Sequence, residues 1–118
     1  GFGGYGPDAQ PATLLQILNG APQTNSAPVQ VEAVPGTRWR YSGGGYSVMQ
    51  QLLIGVEGKT FPAIAQEKLF RPMQMKHSTF LQPLPPELTR NAARGHLSNG
   101  DKVDGGWNVY PTLAAGGM

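Results

Sequence analysis

A chain of 118 residues with a formal net charge of +2 is long enough for one domain with a modest core and too short for two. The basic residues are scattered, which argues against a nucleic-acid partner, and the absence of cysteine excludes disulfides and thiolate metal sites. No stretch approaches the roughly 20 apolar residues of a membrane span, and 17 glycines with 11 prolines interrupt the chain so often that it is expected to be part of a larger domain.

The first predicted element is a two-turn helix that begins after Thr13. Thr13 and Gln16 fit the S/T-x-x-E/Q capping box, apolar residues follow, and Gly20 is placed to end the helix. The connection over residues 21–35 is rich in proline and polar residues, and its alternating piece Val29-Gln30-Val31 predicts a brief edge strand.

The longest predicted helix runs from Tyr46 to a C-terminal cap at Gly58. A short extended run ending at Tyr41 and three glycines precede it, so the chain turns sharply into a helix N-terminus whose free N–H groups face whatever lies in front. Six apolar side chains recur at helical spacing and predict one buried face: Tyr46, Val48, Met49, Leu52, Leu53 and Val56.

A third helix is predicted to begin at Thr60, with Pro62 in its first turn and Pro72 as its stop. It would form a helical hairpin with the preceding helix, joined at Gly58-Lys59. Its expected buried stripe is Phe61, Ile64, Ala65 and Leu69. Three apolar residues that follow are expected to fill the core beneath this hairpin: Met73, Met75 and Phe80.

The last predicted elements are short. Residues 87–91 are expected to make one helical turn. Asn99-Gly100 predicts a type I′ hairpin turn between short arms at residues 95–97 and 102–103.

Motifs for binding phosphate, dinucleotides or metals are not convincing. Gly58-Lys59-Thr60 is like the end of a P-loop, but position 53 is leucine where that motif needs glycine, and the tripeptide follows a helix rather than a strand. His77 and His96 have no second histidine or carboxylate at helical ligand spacing. The sequence therefore predicts neither a metal nor a cofactor.

Four pieces of the chain form a recognisable series: PGTRWRYSGGGY at 35–46, the helix ending in Gly58-Lys59, LFRPMQM at 69–75 and LAAGGM at 113–118. Together they resemble the serine β-lactamase and penicillin-binding-protein-like hydrolases, a group that includes class C β-lactamases, D-alanyl-D-alanine carboxypeptidases and related esterases. The resemblance implies an α+β, mainly helical, partial β-lactamase/transpeptidase-like fold, with a helical lobe and a short hairpin. Residues 1–118 would then be a single partial domain.

The resemblance also implies acyl transfer, in which a serine attacks a carbonyl, a lysine one turn later shares its activation, and a tyrosine moves the proton to the leaving group. Tyr41 stands at the position of that tyrosine, and Ser42 and Gly43 stand at substrate-binding positions. A phenol has an unperturbed pKa of about 10, so it can transfer a proton near neutral pH only if adjacent cations stabilise its anion. Lysine neighbours are therefore implied. The implied substrate is a small-molecule or peptide acyl compound.

Several family features are missing from this chain. It contains no Ser-x-x-Lys, K-T-G or H-x-G motif, and the asparagine expected two residues after Tyr41 is Gly43. The chain is therefore expected to be an internal fragment that lacks its nucleophile and whose partner is the remainder of the parent catalytic domain. Loss of the asparagine favours broader esterase or amidase activity, and the family is commonly extracytoplasmic or periplasmic.

Other interpretations stay open at this stage. Tyr41 would instead be a core tyrosine at a helix start, and Ser42 is better explained as a helix N-cap than as a catalytic group. The parent would instead be a non-catalytic ligand-sensing or scaffold domain, or the segment would fold by itself as a helical interaction module.

Overall fold

A computed structural model describes residues 2–6 and 8–118. The helices are α1 (Leu14–Asn19), α2 (Gly43–Glu57) and α3 (Phe61–Ala65), which continues directly into a π-helical turn. The π turn covers Gln66–Phe70, and two 3₁₀ turns follow at Pro86–Asn91 and Leu113–Ala115. None of the described helices is long and apolar enough to cross a membrane.

Helices are the main regular structure, but they make up only 34% of the chain. Pairing between extended segments, within the described ranges, is limited to two isolated antiparallel bridges, Tyr5 with Val109 and His96 with Lys102. The expectation of a mainly helical α+β lobe is therefore corrected. Most of the chain is irregular, as its many glycines and prolines dictate.

Helix α1 confirms its prediction at both ends. The Thr13 hydroxyl accepts a hydrogen bond from the Gln16 amide at 3.3 Å, and the Gln16 side chain accepts one from the Thr13 amide at 2.8 Å. Gly20 takes the left-handed conformation with φ of 64°, and a Cβ there would lie 2.6 Å from Pro28. Only glycine therefore fits this close approach.

Helix α2 begins three residues earlier than predicted and ends at the predicted Gly58 cap. The Ser42 hydroxyl accepts the Gly45 amide at 3.0 Å, which satisfies one of the free donors of the first turn. This cap allows the glycines to enter the helix despite their low helix propensity.

The predicted buried face of α2 is wrong. Its apolar side chains are 40–74% exposed, whereas Ser47 and Gln50 on another side of the helix are 0% and 2% exposed. Gln50, on this side, hydrogen-bonds to Ala114 in the 3₁₀ turn Leu113–Ala115, and α2 also packs against α1. Each apolar residue of the predicted stripe is left in contact with solvent.

The helical hairpin of α2 and α3 forms as predicted, and an aromatic cluster lies beside it. Phe80 stacks on Phe70 with ring centroids 5.6 Å apart and meets Phe61 edge-on at 5.0 Å. Phe70 is 1% exposed, whereas Leu69 is 42% exposed. The π turn adds a residue to the helical repeat, so that Phe70 rather than Leu69 faces inward.

The predicted core residues after Pro72 are a mixed result. Phe80 is confirmed by its two ring contacts, and Met75 is half-buried. Met73 is 63% exposed, so its placement in the core was wrong. It lies in the turn that follows the π helix.

No strand forms at Val29-Gln30-Val31, so that prediction is wrong. The Val29 amide donates to the Leu18 carbonyl at 2.9 Å, which attaches the segment to the end of α1, and Val31 points into solvent. The predicted turn at residues 87–91 is confirmed as the 3₁₀ turn Pro86–Asn91.

The hairpin at Asn99-Gly100 is confirmed, but its turn type differs. The Leu97 amide donates to Asp101 at 2.7 Å, and the Gly100 amide donates back to Leu97 at 2.9 Å. Gly100 has φ of 91° while Asn99 keeps a negative φ, so this is a type I turn closed by a glycine bulge. The Asn99 side chain accepts the Asp101 amide at 3.1 Å and thereby favours this geometry.

The core is small for the length of the chain. One cluster consists of Tyr5, Ala12 and Ile17 with Phe2 packed against it, and Ile64, Ala65 and Phe70 are buried elsewhere. The accessible area is 8451 Å², against roughly 6,200 Å² for a self-contained protein of this mass. The radius of gyration is 15.5 Å, where about 13.5 Å is typical.

Candidate functional site

Tyr41 lies in the extended segment that leads into α2. Its side chain is 70% exposed, and its hydroxyl makes no hydrogen bond to any side chain or carbonyl within residues 2–6 and 8–118. A core position for Tyr41 is therefore wrong. The phenol is open to an incoming molecule, and its catalytic role stays a prediction.

Ser42 has a defined structural role. Its hydroxyl accepts the Gly45 amide and forms the N-cap of α2, as the sequence favoured. The side chain is exposed to solvent, so the N-cap bond occupies only one of its acceptor positions. A contact between Ser42 and substrate remains a prediction.

Gly43 is the first residue of α2 and faces two other segments. A Cβ at this position would lie 3.7 Å from the Phe2 ring and 3.8 Å from the Ala115 Cβ. These are ordinary van der Waals distances, so Gly43 is not required by crowding. The missing side chain leaves an open space between the helix N-terminus and the C-terminal segment.

The N-terminal end of α2 therefore meets the Ala114–Gly117 segment, although the two are far apart in the sequence. A Cβ on Gly43 would lie 3.8 Å from the Ala115 Cβ, and α2 packs against the 3₁₀ turn Leu113–Ala115. The fold thus brings together two of the four motif segments that carried the resemblance. Tyr41, which precedes Gly43 by two residues, is exposed to solvent.

Two arginines close to Tyr41 in the sequence both lie beside one carboxylate. Arg40 forms a close ion pair with Glu32, and Arg38 lies 3.9 Å from the same carboxylate. Lys59 follows the far end of α2, about 22 Å along the helix axis from Gly43. The implied lysine neighbours of Tyr41 are thus not supplied by Lys59.

The Lys59 ammonium is held instead by Glu67 at 2.5 Å. The hydrogen bond and charge of the Glu67 carboxylate raise the pKa of Lys59, and the same contacts lower the pKa of Glu67. Both side chains are on the surface. The pair joins the end of α2 to the π turn and plays no part in the chemistry near Tyr41.

A cavity of about 750 Å³ has Gly116 and Gly117 in its lining. Its wall is mainly apolar, and the polar atoms nearest to it are largely satisfied: Trp107 Nε1 donates to the Ala93 carbonyl at 2.6 Å. The lining includes Gln82, His96, Trp107, Tyr110, Gly116 and Gly117. Within the described ranges no three histidine, aspartate or glutamate side chains are arranged to hold a metal ion.

Sequence reasoning missed Gln50 and Gln82, whose amides bind the C-terminal segment. A signal for Gln50 was present: no charged residue occurs from Tyr41 to Val56, so both sides of α2 are suited to burial. The prediction considered only the side of α2 that carries the apolar stripe. Nothing local in the sequence marks Gln82.

Comparison with protein families matched one family model, described as Beta-lactamase, to residues 3–118. The matched range contains Tyr41, Ser42 and Gly43 and both motif segments of the junction. No curated protein and no solved structure matches the chain.

Proposed function

The chain belongs to the beta-lactamase family, as its motifs indicated, and we propose that it is the middle segment of the catalytic domain of a serine-dependent acyl hydrolase. In this proposal Tyr41 is the acid/base residue and the serine nucleophile lies outside the 118 residues. The substrate is a small-molecule or peptide acyl compound, namely a β-lactam, a D-alanyl-D-alanine peptide or an ester.

The observation that carries this proposal is the exposed Tyr41 side chain two residues before Gly43, the helix position that faces Ala115. A proton-transfer group must be reachable by the reacting atoms, and Tyr41 has the required exposure. The α2 N-terminus beside it directs free amide groups and the positive end of the helix dipole toward the same space, where negative charge develops during acyl transfer.

The mechanism assigns Tyr41 two proton transfers. Its anion takes the proton from the serine as the serine oxygen bonds to the substrate carbonyl carbon, and the phenol then returns that proton to the leaving group. The anion needs nearby cations, because an unperturbed phenol titrates near about pH 10. We assign those cations to the remainder of the parent domain.

The remainder of the domain is also proposed to cover the apolar face of α2. Leu52 and Val56 are 64% and 74% exposed, and the chain exposes about a third more surface than a self-contained protein of its mass. No charged side chain occurs along residues 41–56, so the covering surface is expected to be apolar as well.

Gly43 favours a permissive acyl site. An asparagine at this position would offer an amide donor and acceptor to the substrate, and Gly43 offers neither. Recognition therefore depends less on a polar group beside the acyl carbonyl. Simple esters and amides are proposed as better substrates than β-lactams.

The proposal is tested on the full-length protein that contains this chain. A serine-directed fluorophosphonate or a penicillin probe is expected to form a covalent adduct, which mass spectrometry would locate on a serine outside the 118 residues. If no adduct forms and Tyr41→Phe leaves ligand affinity intact, the acyl-transfer proposal fails, and a non-catalytic ligand-sensing or scaffold domain takes its place.

A further inference from the structure

The buried side chain of Gln50 holds the C-terminal segment through both of its polar atoms. Its Nε2 donates to the Pro111 carbonyl at 3.0 Å, and its Oε1 accepts the Ala114 amide at 3.0 Å. Gln50 is 2% exposed, so water cannot replace either bond. Loss of the amide would leave a buried carbonyl and a buried N–H without partners.

Gln82 also binds this segment, through two further hydrogen bonds. Its Oε1 accepts the Tyr110 amide at 2.5 Å, and its Nε2 donates to the Gly117 carbonyl at 2.8 Å. The fit is close, because a Cβ on Gly117 would lie only 2.9 Å from the Gln82 Nε2. The two amides together bond residues 110, 111, 114 and 117.

These bonds matter because the segment has little regular structure of its own. Apart from the 3₁₀ turn Leu113–Ala115, its backbone is irregular, so its position depends on groups outside it. Ser47, on the same buried side of α2, donates to the Gly43 carbonyl at 3.1 Å. The side of α2 that holds the segment is thus polar and fully satisfied.

We infer that Gln50 and Gln82 are positioning residues, which fix the Ala114–Gly117 backbone against the Tyr41–Gly43 wall of the site. The catalytic consequence of this inference rests on the proposed function. The two glutamines do not contact the reacting atoms. They set the distance between two walls of the acyl-transfer site, and a displacement of one wall would slow acylation more than it weakens substrate binding.

The first test measures amide hydrogen exchange in the full-length protein. Gln50→Leu has nearly the same volume and removes both bonds, so the Ala114 amide should exchange at least about tenfold faster. The matched control is Gln51→Leu, since Gln51 is half-buried and makes no side-chain hydrogen bond within the described ranges. Unchanged Ala114 exchange in Gln50→Leu would overturn the inference.

The second test separates positioning from simple stabilisation. Gln50→Leu should lower kcat for a chromogenic ester at least about tenfold with little change in KM, and Gln51→Leu should leave both near their original values. Gln50→Glu should be slow at neutral pH, where a carboxylate faces the Pro111 carbonyl. Its rate relative to the unaltered protein should recover as pH falls, because a protonated carboxyl donates and accepts as an amide does.

Three outcomes have different meanings. Equal kcat values for Gln50→Leu and Gln51→Leu, or a Gln50→Glu rate that does not recover at low pH, would overturn the positioning role. If Gln50→Leu fails to fold, Gln82→Met replaces it, with the Tyr110 amide as the exchange readout. If the unaltered protein has no hydrolytic activity, the proposed function fails, and the exchange measurement still decides whether the amides hold the segment.

Discussion

At the scale of single residues, Tyr41 and Ser42 are neighbours with separate roles. Tyr41 has an exposed side chain with no described hydrogen-bond partner, whereas the Ser42 hydroxyl is bound to the first turn of α2. Their effects on stability and on chemistry should therefore be separable by substitution.

Tyr41→Phe is expected to slow acylation of the full-length protein by about 10²- to 10⁴-fold, because it removes only the proton-transferring hydroxyl. The unfolding free energy should change by less than about 0.5 kcal/mol, since the side chain is 70% exposed. Acylation rates and urea unfolding measure the two effects. Tyr46→Phe, at another exposed tyrosine, is the control, and an equal loss of rate there would contradict the assignment.

Ser42→Ala is expected to lower the unfolding free energy by about 1 kcal/mol, because the Gly45 amide loses its capping acceptor. Ser42→Asp should keep most of that stability, since a carboxylate also caps and interacts well with the helix dipole. Chemical denaturation of the two variants gives the comparison. Equal destabilisation by alanine and aspartate would show that the cap is not what Ser42 contributes.

At the scale of elements, the α3 helix and the π turn determine which side chain enters the aromatic cluster. Regular helical spacing predicts Leu69, and the π turn places Phe70 there instead. The choice between these neighbours has a large energetic consequence, because only one of them is buried.

Phe70→Leu is expected to cost about 1–2 kcal/mol and Phe70→Ala about 3–5 kcal/mol, because the ring is 1% exposed and stacks on Phe80. Leu69→Ala, one residue earlier in the same turn, should cost less than about 1 kcal/mol. Urea unfolding at low temperature measures all three variants. A larger loss for Leu69→Ala than for Phe70→Leu would contradict the π-turn register.

The Lys59–Glu67 pair should make a small, pH-dependent contribution to the junction of α2 and the π turn. Because the pKa of Glu67 is lowered in the folded state, this contribution to stability is fully present above about pH 4.5. It is lost as pH falls through the folded-state pKa. Because the pKa of Lys59 is raised in the folded state, the contribution is fully present below about pH 10.5. It is lost as pH rises through the folded-state pKa of Lys59.

An NMR titration of the Glu67 carboxyl checks this pair. Lys59→Met should raise the pKa of Glu67 toward its ordinary value, and 1 M salt should have a similar effect because the pair is on the surface. Lys102→Met, in the distant hairpin, is the control substitution. A Glu67 pKa that is the same with and without Lys59 would rule out the ion pair as its cause.

At the scale of the whole molecule, the chain has too little core for its size. Its accessible area and radius of gyration both exceed those typical of a self-contained protein of 118 residues. The largest uncovered apolar surface in one element is the outer face of α2. Covering that face is the contribution we propose for the remainder of the catalytic domain.

Leu52→Gln and Val56→Gln test this proposal, because their effects on the unfolding free energy should differ between the isolated chain and the full-length protein. In the isolated 118-residue chain each should change the unfolding free energy by less than about 0.5 kcal/mol, because both side chains are exposed. In the full-length protein each should cost about 1–3 kcal/mol if the face is buried. Leu97→Gln, in the hairpin turn, is the matched control, and equal small effects in both settings would contradict the proposal.

Local features of the structure were predictable from the sequence because their causes are local. The capping box at Thr13, the glycine caps at Gly20 and Gly58 and the hairpin at Asn99-Gly100 each depend on residues within one or two turns. The type of the hairpin turn was not predictable from the dipeptide alone. It depends on the hydrogen bond that the Asp101 amide donates to the Asn99 side-chain oxygen, which favours the observed turn.

The side chains of the candidate site were only partly predictable. The motif resemblance proposed Tyr41, Ser42 and Gly43, whose roles stay predictions, and the family match supports the hydrolase class to which that motif belongs. Gln50 and Gln82 were not found, because their partners lie more than 25 residues away in the sequence and are backbone atoms. A backbone carbonyl or amide does not depend on the side chain, so the sequence does not show which residues are the partners of Gln50 and Gln82.

The sequence by itself therefore determined the caps of α1, the Gly58 cap of α2, the position of the hairpin, the absence of cysteine chemistry and the family. Only the tertiary structure decided which side of α2 is buried and which segment lies beside Tyr41. The physical reason is that hydrophobic periodicity reports that a face is suited to burial, without reporting what covers it. In the described chain α2 buries its polar side through Gln50 and leaves its apolar side exposed.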